Sequence, residues 1–236
     1  KPAAPTYVHL FHSKKSNLLK IGRTLCKNKA DTYSGCPSYW AKNKEARDAA
    51  VDYRGRSYGD KAVANCILIL GEWWWSRKSP DPHSERLSIA SHEYFHCHQE
   101  GLAHYFDSEK RYGWMINAYP DAEKTVGTFG PNWLAEGGAT YFGANYAAKY
   151  GDGWNYKDKM RYKLDRARAA VKKGAKLRKY ISQNQSKARG DNFAYDGGAW
   201  ATAYLANRKG GNKQVFTSYY KDIAELERKW RKKGRK

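Results

Sequence analysis

Long apolar runs are missing from this chain. Its most apolar stretch, Val63-Ala64-Asn65-Cys66-Ile67-Leu68-Ile69-Leu70, falls far below the roughly 20 residues that a helix needs to cross a bilayer, so no transmembrane segment is expected. No charged-then-apolar leader opens the sequence, and Lys1-Pro2-Ala3-Ala4-Pro5 reads instead as the junction left by a trimmed one. There is no internal repeat and no low-complexity linker, which excludes solenoids and tethered modules. No Cys-x-x-Cys spacing occurs, so the common zinc-ribbon and redox motifs are out. No Asp-rich calcium loop is evident. Acidic residues are few: 23 Asp and Glu stand against 44 Lys and Arg, a formal charge of +21 over 236 residues.

That excess draws the protein toward polyanions. Much of it is local. Lys157 to Lys179 carries eleven Lys and Arg against Asp158 and Asp165, and Arg228 to Lys236 forms a basic C-terminal tail. Polyanion contact through these two runs is one expectation; a solvated helix face and a frayed tail is the plainer one. An apolar fraction of 41% and an aromatic fraction of 15% supply ample surface to bury, which excludes whole-chain disorder. Four cysteines are present. Cys26 and Cys36 bracket a short polar loop, so their pairing is geometrically easy, and Cys66 with Cys97 would form a second bridge. Two disulfides favour an oxidising compartment, hence a secreted or periplasmic protein; four buried thiols are the alternative.

Along the chain, strand signals come first. Thr6 to Phe11 and Val63 to Leu70 read as strands, the second as one buried on both faces, with a polar helix over Lys42 to Val51 between them. From Ser84 the period becomes helical, with Leu87, Ala90, Tyr94, Cys97 and Leu102 on one side and Gly101 as a stop. A Gly- and aromatic-rich loop, Asp107 to Gly130, precedes Pro131, which suits the first turn of a helix running to about Tyr150. Met160, Leu164, Ala167 and Val171 mark an amphipathic basic helix, Gly197 to Asn207 a small-residue helix, and Val215 to Trp230 a last amphipathic one. The expected fold is therefore α+β: one domain over residues 1–236, with a small β-containing N-terminal lobe (about 1–106) and a mainly helical C-terminal lobe (about 107–236).

The sharpest chemical feature is His92-Glu93-Tyr94-Phe95-His96. Two histidines four apart share one helix face and can share a zinc ion, with the Glu beside the first placed to reach an attacking water. Random occurrence in a chain of this composition is about 0.01. A catalytic zinc takes three protein ligands. Leu102 stands where a metzincin third histidine would be, and His98 and His104 fit no ligand spacing. Glu136 is the better third ligand: it lies in Asn132-Trp133-Leu134-Ala135-Glu136-Gly137-Gly138-Ala139-Thr140-Tyr141, among apolar and small residues where a buried carboxylate needs a cation.

His92-Glu93-x-x-His96 followed by Trp-Leu-Ala-Glu136-Gly-x-Ala-x-Tyr resembles the gluzincin metallopeptidases, and is nearest to the aminopeptidase/leukotriene-hydrolase and collagenase-type catalytic domains. A third segment, Ala194-Tyr195-Asp196-Gly197-Gly198-Ala199, resembles the Tyr-x-x-Gly-Ala element that carries a catalytic tyrosine in the aminopeptidase group. The resemblance spans about Leu87 to Asn207. It implies a zincin-like catalytic domain, Zn²⁺ held by His92, His96 and Glu136, Glu93 as general base and Tyr195 as oxyanion stabiliser. The substrate class is then protein or peptide. The Gly-Ala-Met-Glu-Asn element that holds a free amino terminus in aminopeptidases is absent, which favours an endopeptidase. The strand Asn65 to Leu70 is a candidate for binding an extended peptide by strand addition. Two other readings stand beside this one: an intracellular protease recruited to nucleic acid, and a non-catalytic binding module for acidic polymers.

Overall fold

The structure, a computed structural model, describes residues 6–10, 56–60, 65–70, 83–105, 131–180, 188–211, 214–215 and 217–218. Four helices dominate: α1 (His83–Tyr105), α2 (Asn132–Tyr150), α3 (Tyr156–Lys172) and α4 (Phe193–Lys209), with a single 3₁₀ turn at Leu177–Lys179. Their ends follow local chemistry. Glu85 lies in the first turn of α1, where the positive end of the helix dipole favours a carboxylate. Pro131 sits one position before α2 in extended geometry, and its carbonyl accepts the amides of Leu134 and Ala135. The side chain of Asn155 caps α3 by accepting from the Asp158 amide. Gly210 closes α4 in the left-handed region, φ 85°, as glycine readily does. Gly101, expected to stop α1, lies inside it: a glycine weakens a helix by only about 1 kcal/mol and ends one only where the backbone turns left-handed.

α2 is the middle of the assembly. It buries Leu134, Ala135, Ala139, Thr140, Tyr141, Ala144 and Ala147 on several sides, because α1 and α4 both pack along it. α3 packs on α4, where Met160 and Ala167 turn inward and the Trp200 indole donates to the Met160 carbonyl at 2.9 Å. Val171, expected on the same apolar face, is exposed. One cluster joins Tyr141, Ala144, Met160, Ala199 and Ala206 to Val215; a second joins Ala167, Ala175, Tyr180, Phe193 and Ala194.

The expected α+β fold is corrected. Among residues whose side chains are placed, 83% are helical and none lies in a strand, so the described body is all-helical. A β-containing N-terminal lobe, and the zincin-like architecture that would include it, is not supported. Three short backbone segments, Thr6–Leu10, Arg56–Asp60 and Asn65–Leu70, are extended and paired. Such a ribbon needs a packed layer before it makes a lobe, and a short apolar run cannot specify one by itself. Asn65–Leu70 is also the central segment, flanked on both sides, so it has no open edge for strand addition. The helix expected over Lys42 to Val51 lies outside the described residues, as does the last expected helix beyond Ser218; Gln214, Val215, Thr217 and Ser218 are helical.

The helices meet through glycine. A Cβ on Gly137 would collide with the backbone of Gly198 and Ala199, and one on Gly198 with the Trp133 carbonyl. Gly198→Ala is therefore expected to destabilise the protein by at least about 2 kcal/mol, since overpacking against backbone cannot be relieved by a rotamer change. Gly153→Ala meets open space at φ 69° and should cost only about 1 kcal/mol. Denaturant unfolding of both variants checks this; equal losses would remove the close contact as a constraint.

Candidate metal centre

α1 supplies the two histidines. Residues four apart stack on one helix face, and the His92 and His96 rings meet edge to face at 4.8 Å between centroids. Their Nε2 atoms are 3.2 Å apart. α2 supplies Glu136, one turn in, whose Oε2 lies 3.2 Å from His92 Nε2 and 3.5 Å from His96 Nε2. These three are the group of His, Cys, Asp and Glu that could hold a metal ion among the described residues.

The donor set fits zinc. A tetrahedral ion with ligands at about 2.0–2.1 Å has ligand-to-ligand edges of about 3.3–3.4 Å. The observed edges of 3.2, 3.2 and 3.5 Å bracket that value. The tautomers fit as well. His96 Nδ1 donates to Gln99 Oε1 at 2.9 Å, and that amide is oriented because its Nε2 donates to the carbonyls of Leu134 (3.3 Å) and Ala135 (3.2 Å). His92 Nδ1 lies 3.3 Å from Thr140 Oγ1, a hydroxyl able to accept its N–H. Both imidazoles thus turn Nδ1 to a protein oxygen and Nε2 to one common point, the arrangement that orients histidine ligands in metal sites.

The charges respond to this crowding. Burial opposes the charged form of His96, but the Glu136 carboxylate outweighs it and, helped by Glu93, raises the imidazole to about 9. Burial likewise pushes Glu136 up, and the two imidazoles more than reverse that, holding it well below the usual carboxylate range. Glu136 is therefore an anion buried against cationic or electron-poor partners, as a ligand carboxylate must be.

Glu93 stands on α1, half-buried, close enough to His96 to act on its charge but outside the convergent group. That separates it from the ligands. Tyr195, in the first turn of α4, stacks its ring on His92 at 6.0 Å and 19°, with 36% of its surface exposed. Every residue singled out from the motifs therefore comes to one place: His92, His96 and Glu136 as a triangle, with Glu93 and Tyr195 beside it. His98 turns to Phe95 instead, 5.6 Å between rings. Sequence reading passed over Gln99 and Thr140. Both carried a signal: Gln99 is three residues past His96 and Thr140 four past Glu136, spacings that share a helix face.

Compared with protein families, characterised proteins and solved structures, the chain matches none.

Gln99→Leu removes the acceptor for His96 Nδ1 and leaves the ring free to turn. Its zinc affinity is expected to fall about 10–100-fold, and that of His96→Ala to vanish. Competition against a fluorescent zinc chelator measures both; unchanged affinity in Gln99→Leu would detach Gln99 from the site.

Proposed function

We propose that this protein is a zinc metallopeptidase of the gluzincin pattern, cutting internal peptide bonds. The observation that carries the reading is the triangle of two oriented Nε2 atoms and one buried carboxylate oxygen, spaced as zinc ligands are. Glu93 and Tyr195 beside it supply the other two roles that hydrolysis needs. When bound, zinc acts as a Lewis acid and lowers the pKa of a coordinated water toward about 7.

His92, His96 and Glu136 would hold the ion. Glu93, adjacent but not a ligand, accepts the proton of the attacking water and returns it to the leaving amine. Tyr195, partly exposed and stacked on His92, would donate its hydroxyl to the carbonyl oxygen as negative charge grows there. The His92 stack restricts the ring, so that donor is held in place before the substrate arrives.

The basic run has a place in this reading. Lys157, Arg161, Arg168 and Lys172 fall on one side of α3 at spacings of four, seven and four, and all are exposed. They form a stripe suited to an anionic polymer. No helix of the described residues is long and apolar enough to cross a membrane. Export of the protein is a proposal that rests on Cys26–Cys36 and Cys66–Cys97. All four cysteine side chains lie outside what the structure describes.

An unbiased peptide library read by mass spectrometry, with and without a zinc chelator, tests the central claim: chelator-sensitive internal cuts are expected. Glu93→Gln should keep zinc and lose hydrolysis. Tyr195→Phe should keep zinc and lose about 10²–10³ in rate. Turnover retained by Glu93→Gln overturns the assignment, and zinc-loaded protein that cuts nothing returns the reading to a binding module. Reversing Arg161 and Arg168 to Glu should lower the salt concentration at which the protein leaves immobilised single-stranded DNA or heparin. An unchanged elution point removes α3 as the contact.

A further inference from the structure

Asp196 is among the most deeply buried charged residues described, 2% exposed. A buried carboxylate is tolerated only when paired, and this one is held from α3 by two cations. Arg166 Nε lies 2.8 Å from Oδ2, and Lys163 Nζ 3.5 Å from Oδ1. The other basic residues of α3 do not share this role: Lys159 reaches Glu85 on α1, and Arg168 pairs weakly with Asp165 on its own helix. Asp196 is the residue after Tyr195, in the first turn of α4.

Apolar packing anchors the start of that turn, where Phe193 and Ala194 are buried against Ala167, Ala175 and Tyr180, and the ion pairs add a directional tie on the Asp196 side. Its cap residue, Asn192, makes no side-chain cap hydrogen bond. At its closest point the contact with α2 is Gly198 against Gly137 and the Trp133 carbonyl, which sets the distance of approach. The Asp191 carboxylate holds the Phe193 amide at 3.0 Å, at the very start of the helix. A tyrosine hydroxyl stands about 9 Å from its helix axis, so a rotation of 20° carries it about 3 Å. A displacement of that size is enough to spoil a catalytic hydrogen bond.

We propose that Asp196, clamped by Arg166 and Lys163, is a positioning residue that fixes the first turn of α4 and thereby holds Tyr195 over His92. The basic helix α3 then has two faces with two tasks: an outer stripe turned to solvent, and an inner pair that orients the tyrosine. The inference rests on the metallopeptidase reading for its consequence in catalysis, but the clamp itself is a matter of geometry.

The test has two readouts. In metal-free protein, nuclear Overhauser cross-peaks between the Tyr195 and His92 rings report the stack directly, whatever the enzyme does. The parent should show them. Arg166→Ala and Asp196→Asn should weaken them several-fold, Arg166→Lys should recover much of the intensity, and Arg168→Ala should leave them unchanged. Lys163→Met, which keeps the shorter Arg166 contact, gives the graded variant if the others fail to fold. In zinc-loaded protein, Arg166→Ala should lower kcat about tenfold with KM and zinc affinity unchanged. Cross-peaks of parental intensity in folded Arg166→Ala and Asp196→Asn overturn the proposal, as does their absence from the parent. A parent that shows the cross-peaks but hydrolyses nothing overturns the peptidase reading instead and leaves the clamp standing.

Discussion

The close approach of α2 to its two neighbours is the constraint on which the site depends. Gly137 meets Gly198 backbone to backbone on one side of the helix. On the other, Gly143 lies against the Ser88 carbonyl and within 3.3 Å, by its missing Cβ, of the His92 amide and Cβ. Thr140 lies between the two contacts and Glu136 directly before the first. Any side chain at Gly143 would push α1 away, and with it His92; any at Gly137 would push away α4, and with it Tyr195. Glycine in a helix costs about 1 kcal/mol relative to alanine. Here that cost coincides with bringing groups from three helices within a few ångströms of one another.

Once the helices touch, the polar groups lock one another. Gln99, fully buried, links His96 on α1 to two carbonyls in the first turn of α2, so the orientation of a metal ligand and the packing of two helices are one set of hydrogen bonds. Thr140 does the same for His92 from the next turn of α2. The unfavourable element is the convergence of two imidazole nitrogens and a carboxylate oxygen with little water. The shifts of His96 and Glu136 express this: a proton on His96 partly neutralises the cluster, and a divalent cation would do so more fully.

The strong positive charge is less uniform than its total suggests. On α3, Lys163 and Arg166 are spent on a buried carboxylate, Lys159 on Glu85, and Arg166 also lies over the Tyr162 ring at 5.3 Å. What remains free for an outside partner is a narrower stripe. Counting charges gives attraction to polyanions; only the placement of α3 against α4 distinguishes cations that hold the protein together from cations that face solvent.

The sequence by itself determined the chemistry of the site and the helices that carry it. The spacing of His92 and His96 places both on one face wherever that segment is helical, because 3.6 residues per turn is a local property. Glu136 and the helices around it were legible from apolar neighbours, Pro131 and the small-residue pattern, whereas Tyr195 was legible only through the resemblance of its segment to the aminopeptidase element. The sequence misjudged the fold class, because a short apolar run such as Val63 to Leu70 states a preference for extended backbone without stating what layer it joins. It also gave no sign of which cations Asp196 would capture, or that Gln99 would anchor His96 across to α2. Those depend on pairs 30 to 36 residues apart in the chain, such as Arg166 with Asp196 and Gln99 with Ala135. Contacts of that kind are decided by how closely two helices approach and at what rotation, and only the tertiary structure fixes both.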